Sequence, residues 1–137
     1  ETSCRIKARI VAQDERETGE RIILNYGHTF GHAIETGAGY GEWMHGEAVA
    51  AGMVLAARLS TQVNGLPAAD AARIGELLRQ LTIRCDAPAM DFAQWMTLMR
   101  RDKKVQGSAI RFVLLAALGR AQVRDDITDA QLRTLLA

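Results

Sequence analysis

Apolar positions recur at helical spacing along most of the chain and switch to strand-like runs near its C-terminus. Residues 3–13 mix Ile6, Ala8, Ile10, Val11 and Ala12 with Arg5, Lys7 and Arg9, which predicts a helix opened by Thr2 or Ser3 as N-cap. The polar stretch 14–21 contains one glycine and reads as a surface loop. A second helix is expected from Ile22 or Asn25 to Thr36, ended by Gly37, Gly39 and Gly41. A third, over 47–63, interleaves alanines and Gly52 with Val49, Met53, Val54, Leu55 and Leu59. A helix apolar on most sides belongs at a domain centre.

Asn64, Gly65 and Pro67 end that helix, and residues 68–81 predict a fourth with Ile74, Leu77, Leu78 and Leu81 at helical spacing. Phe92, Trp95, Met96 and Met99 repeat the spacing, and such a stripe is read as core packing. Residues 110–118 and 121–123 flank Gly119 and Arg120, which suits a short hairpin. Thr128 with Gln131 forms a capping box for a closing helix whose apolar face is Leu132, Leu135 and Leu136. The expected architecture is a mainly α, multi-helix domain with a small β-hairpin near the C-terminus.

Composition narrows the function classes. The chain has 137 residues, 17 basic against 16 acidic, and a formal charge of +1. That length supports a core without staples, and the balance argues against a nucleic-acid binder, which shows a basic face. The apolar run at 109–118 is interrupted by Arg111 and falls short of the roughly 20 residues that cross a bilayer. Cys4 and Cys85 lie far apart with no CxxC spacing, so a reducing cytoplasm is the expected compartment. Residue 1 is glutamate, and the chain reads as a piece of a longer polypeptide.

The chain's three histidines cluster at 28, 32 and 45. On a helix His28 and His32 share a face, close enough to serve one site, and neutral imidazole is a favoured zinc ligand. On one continuous helix Arg21, Asn25, His28 and His32 all align; if Arg21 belongs to the preceding loop, only the last three do. Leu24, Tyr26, Phe30 and Ile34 flank this stripe, which therefore resembles a site lining more than a solvated face. Gly27 and Gly31 each precede a histidine, although glycine costs a helix about 1 kcal/mol against alanine. Close approach of another group and simple helix packing both account for them. The GAGYG run at 37–41 follows a helix rather than a strand, so it reads as a turn that brings His45 back, not as a nucleotide loop.

LNYGHTFGHAIE at 24–35 and HGEAVAAGM at 45–53 resemble signature blocks of the 3-dehydroquinate synthases. KARIVAQDERETGER at 7–21 and RDKKV at 101–105 resemble the same family in order and spacing. The resemblance implies that residues 1–137 are the C-terminal helical metal- and substrate-binding domain of an enzyme whose N-terminal domain binds NAD+. It also implies a carbon–oxygen lyase of the shikimate pathway, which leads to chorismate and the aromatic amino acids. Its reaction converts 3-deoxy-D-arabino-heptulosonate 7-phosphate to 3-dehydroquinate and phosphate with the help of Zn2+, or Co2+, and NAD+.

By the same resemblance His28 and His45 are metal ligands, and His32 lies near the substrate phosphate and the proton transfers. Lys7, Arg21 and Asn25 contact substrate and belong with His32 to the catalytic set, and Lys103 or Lys104 adds a cation for the anionic substrate. Glu47 suits the positive end of its helix, the reading favoured here, with a role beside the metal as the alternative. The family's third protein ligand, a glutamate, and its nucleotide loop lie upstream, so the chain alone is expected to bind zinc weakly and not to turn over. Family members are commonly homodimers when full length. Competing readings are another sugar-phosphate cyclase, a metal-dependent dehydrogenase of the same plan, and a non-catalytic helical assembly module.

Overall fold

The computed structural model describes residues 4, 5, 8, 9, 20–39, 41–101 and 109–137, with side chains described for all of these except 20–22. Of the helix expected over 3–13, residues 4, 5, 8 and 9 are helical. Lys7, Lys103 and Lys104 lie outside the described residues, as do most of the expected 14–21 loop and Tyr40.

A 3-10 helix, Glu20–Asn25, leads into α1 (His28–Gly37), α2 (His45–Val63), α3 (Ala68–Gln80) and α4 (Phe92–Arg101). Strands β1 (Phe112–Ala117) and β2 (Arg120–Arg124) and helix α5 (Asp129–Leu136) follow. The mainly helical domain with a C-terminal hairpin is thus the observed architecture. The strands pair antiparallel from Phe112 opposite Arg124 to Ala117 opposite Arg120, with a register shift between Leu115 and Ala117.

Helix α2 is central because its composition allows it to be. Ala48, Ala51, Leu55, Ala56 and Leu59 are buried in the main core, while Ala50 and Val54 pack with Leu78 and Cys85 in a second cluster. Phe30 of α1 meets Trp95 of α4 edge-on at 6.2 Å and Phe112 of β1 at 5.2 Å, which ties three elements into one aromatic centre. Trp95, Met96 and Met99 are buried, so the aromatic and methionine stripe is core. Leu78 is buried as well, but Leu77 and Leu81 are 57% and 58% exposed, so half of the α3 stripe faces outward.

Polar contacts fix the hairpin and the last helix. Ser60, fully buried on α2, donates from its hydroxyl to the Ala56 carbonyl at 2.7 Å and accepts the Leu115 N–H at 2.8 Å. Arg124 donates to the Val63 carbonyl and to Asn64 at the end of α2, while its other nitrogens hold Asp126. Asn64 Nδ2 is buried without a partner. Thr128 and Gln131 form the expected capping box at the start of α5.

Candidate functional site

The site is built by the crossing of α1 and α2. A Cβ on Gly31 would lie 3.1 Å from the Val49 Cα, and one on Gly27 would meet the Met53 nitrogen at 2.9 Å. A Cβ on Gly52 would collide with the Gly27 carbonyl. Both glycines that precede histidines are therefore packing glycines, and what approaches them is the backbone of α2. Gly27 also has φ +82°, a left-handed conformation that suits glycine.

That left-handed residue corrects one expectation. The 3-10 helix stops at Asn25 and α1 starts at His28, so no continuous helix carries Arg21, Asn25, His28 and His32 on one face. The physical reason is the crossing itself, since the chain must turn at Gly27 to let α2 come close. Asn25 is half-buried on the 3-10 helix, and Arg21 is on the same helix with its side chain outside the described residues.

On α1, Phe30, Ala33 and Ile34 face the core, and His28, His32 and Glu35 form a half-buried stripe at i, i+4 and i+7. The chain then turns through Gly39 and Gly41, both left-handed, and Trp43 packs into the core. Arg84 lies 3.6 Å from the Trp43 ring centre and donates to the Glu42 carbonyl, which anchors the turn. His45 opens α2, so the turn does bring it back: its ring centre is 6.0 Å from that of His28 and 6.3 Å from that of His32, and His28 and His32 are 6.0 Å apart.

Two of the rings are oriented by acceptors. His28 Nδ1 lies 3.3 Å from the Tyr26 carbonyl oxygen, and His45 Nδ1 lies 3.0 Å from Glu35 Oε2. A carbonyl oxygen and a carboxylate oxygen both accept, so each contact calls for the hydrogen on Nδ1, and in the neutral ring the lone pair is then on Nε2. Tyr26 is itself fixed, because its hydroxyl donates to the Met53 carbonyl on α2 at 2.9 Å. Burial pushes that phenol well above its ordinary range, so it acts as a neutral donor.

Glu47 accepts the Met44 N–H at 3.1 Å, which is the helix-start role favoured for it. Glu35 and Tyr26 were not singled out as site residues from the sequence. Glu35 was findable, because it stands seven residues after His28 on the same helical stripe; the Tyr26 carbonyl has no side-chain signal.

The donor set suits a borderline metal such as zinc or cobalt, which takes imidazole nitrogen. With Zn–N bonds of about 2.1 Å, two imidazoles on one ion have ring centres roughly 5–6 Å apart, near the 6.0–6.3 Å spacings among His28, His32 and His45. Among the described residues no group of three or more His, Cys, Asp or Glu closes a complete metal set. A concavity of about 750 Å3 between α2 and α3 is lined by Arg58, Arg73, Glu76 and Arg79 with smaller residues and includes none of the histidines. Among the described residues no helix is long and apolar enough to cross a membrane.

The fold is shared with part of the sugar-phosphate cyclases. A 2-deoxy-scyllo-inosose synthase, solved with carbaglucose-6-phosphate, NAD+ and Co2+, superposes with a TM-score of 0.79 at 26% identity, covering 95% of this chain and 38% of that one. A 2-epi-5-epi-valiolone synthase from Streptomyces hygroscopicus shares the fold with a TM-score of 0.75 at 22% identity, over 92% of this chain and 36% of that one. Within that class the chain belongs to the 3-dehydroquinate synthase family, whose C-terminal profile matches residues 1–105. The 3-dehydroquinate synthase of Bordetella pertussis is 54% identical over 134 residues, 98% of this chain and 37% of that protein. That of Laribacter hongkongensis is 51% identical over 136 residues, 99% of this chain and 38% of that protein. The chain therefore spans little more than a third of the length of the relatives it matches.

Proposed function

We propose that this domain is the metal- and substrate-binding part of an active 3-dehydroquinate synthase, which converts 3-deoxy-D-arabino-heptulosonate 7-phosphate to 3-dehydroquinate and phosphate. The observation that carries the reading is the meeting of His28 and His45 at 6.0 Å, each held through Nδ1, an arrangement in which the neutral ring presents Nε2 to a ligand. His28 and His45 would hold Zn2+ or Co2+ together with a glutamate from an upstream NAD+-binding domain. The metal, when bound, polarises substrate oxygens, and NAD+ takes up and returns a hydride.

The chain's own residues bind, orient and carry protons. His28 and His45 are the first residues of α1 and α2, so two positive helix ends converge near the rings and favour the carboxylate and phosphate of the substrate. Lys7, Arg21, Asn25 and one of Lys103 and Lys104 supply further contacts to those anions. His32, one turn from His28, is the group we assign to the substrate phosphate and to proton transfer beside it.

Full-length enzyme is taken to be a cytoplasmic homodimer, in keeping with the free thiols of Cys4 and Cys85. The isolated domain is expected to bind zinc weakly and to lack turnover. Phosphate release by the full-length polypeptide with NAD+ and Zn2+ tests the substrate. Turnover of the heptulosonate phosphate and not of hexose or heptose phosphates lacking the carboxylate supports the reading, and the reverse preference assigns another cyclase activity. Submicromolar zinc affinity of the isolated domain contradicts the weak-binding part, and its turnover with NAD+ contradicts the remainder.

A further inference from the structure

Glu35 has no assigned task in the site, yet it is the residue that fixes the most exposed of the three imidazoles. The His45 side chain is 58% exposed and stands at the first position of α2, where its own helix offers no preceding turn to pack against. Left alone, such a ring samples several rotamers. Glu35, on the last turns of α1, reaches across the helix crossing, and its Oε2 lies 3.0 Å from His45 Nδ1.

A carboxylate on the far nitrogen of an imidazole has three effects. It selects the tautomer with the proton on Nδ1, it sets the plane of the ring, and it raises the electron-pair donation of Nε2. His28 is held in the same sense by the Tyr26 carbonyl at 3.3 Å. The two candidate ligands thus share one arrangement, but only His45 has an anionic partner. Glu35 also links the two helices that carry the rings.

We propose that Glu35 is a positioning residue for the metal site: its carboxylate orients His45 and strengthens Nε2 as a donor to a divalent metal ion. This rests on the assignment of His28 and His45 as metal ligands. The bland competitor is an exposed ion pair that links two helices and contributes little. That competitor predicts no change in metal affinity when Glu35 is replaced.

The test uses the full-length polypeptide with variants Glu35→Ala, Glu35→Gln, Glu35→Asp, His45→Ala and the double variant Glu35→Ala with His45→Ala. Zinc affinity is measured by chelator competition, the visible spectrum is recorded with Co2+, and the melting temperature is taken without metal. Loss of the carboxylate is expected to weaken zinc binding by roughly 10–100-fold and to shift the Co2+ bands, with the metal-free melting temperature little changed. Glu35→Gln keeps an acceptor without the charge and falls between wild type and Glu35→Ala, and Glu35→Asp recovers part of the loss. In the His45→Ala background the Glu35→Ala change has no further effect on affinity.

Wild-type zinc affinity and Co2+ spectrum in both Glu35→Ala and Glu35→Gln overturn the proposal while His45→Ala still weakens binding. An undiminished loss on Glu35→Ala in the His45→Ala background also overturns it, because Glu35 then acts elsewhere. Unchanged affinity in His45→Ala instead removes the underlying metal assignment. If Glu35→Ala does not fold, Glu35→Gln alone decides.

Discussion

The carbonyl of Gly27 occupies the space where a side chain on Gly52 would have to stand. This one contact explains why α1 and α2 cross so closely and why the first residue of each, His28 and His45, can bring its ring within 6.0 Å of the other. The site is therefore a product of packing as much as of the residues that line it.

Gly52→Ala tests that link. Alanine favours a helix over glycine by about 1 kcal/mol, so propensity alone predicts a more stable protein. The added methyl meets the Gly27 carbonyl and the Gly31 nitrogen, which are backbone and cannot rotate away. Overpacking of this kind costs about 1–3 kcal/mol, and we expect it to win. Urea denaturation should show a net loss of stability, accompanied by weaker zinc binding in the full-length protein as the two histidines move apart.

Tyr26→Phe removes the bond to the Met53 carbonyl and should cost about 1 kcal/mol at neutral pH. The folded phenol is held above its ordinary value by burial, so the unfolded chain releases this proton first. Stability from this group is thus complete below the unfolded value of about 10 and declines as pH rises above it. Thermal unfolding in alkaline buffers should show a shallower decline for Tyr26→Phe than for wild type; parallel declines would deny Tyr26 this role.

Ser60→Ala should destabilise by about 1–3 kcal/mol, because the Leu115 N–H then loses its acceptor on α2. Hydrogen exchange should quicken at Leu115 and its hairpin neighbours before it does in α1. A stability change within a few tenths of a kcal/mol, with exchange unaltered, would mean that water replaces the hydroxyl there.

Much of this was legible in the sequence, and the failures share a cause. The capping box at Thr128, the central alanine-rich helix and the turn around Gly119 depend on local chemistry, which a sequence displays. The histidine cluster pointed to one face of α1, and the fold brings its three ring centres within 6.0–6.3 Å of one another. The expected continuous helix through Asn25 failed because Gly27 is left-handed to admit α2, and α2 lies some twenty residues further along the chain. Leu77 and Leu81 fit the helical period but are exposed, because period places residues on a face without saying what covers it. Glu35 escaped notice for a similar reason: its partner, His45, belongs to another helix.

His28 and His45 are proposed to bind one divalent metal ion in the full-length protein. The most direct measurement is the zinc content per chain of the full-length protein, equilibrated with excess Zn2+ and then freed of unbound metal, for wild type, His28→Ala and His45→Ala. One tightly held zinc is expected in wild type and its loss in each variant, with folding retained. Retention of a full equivalent in both folded variants would contradict it.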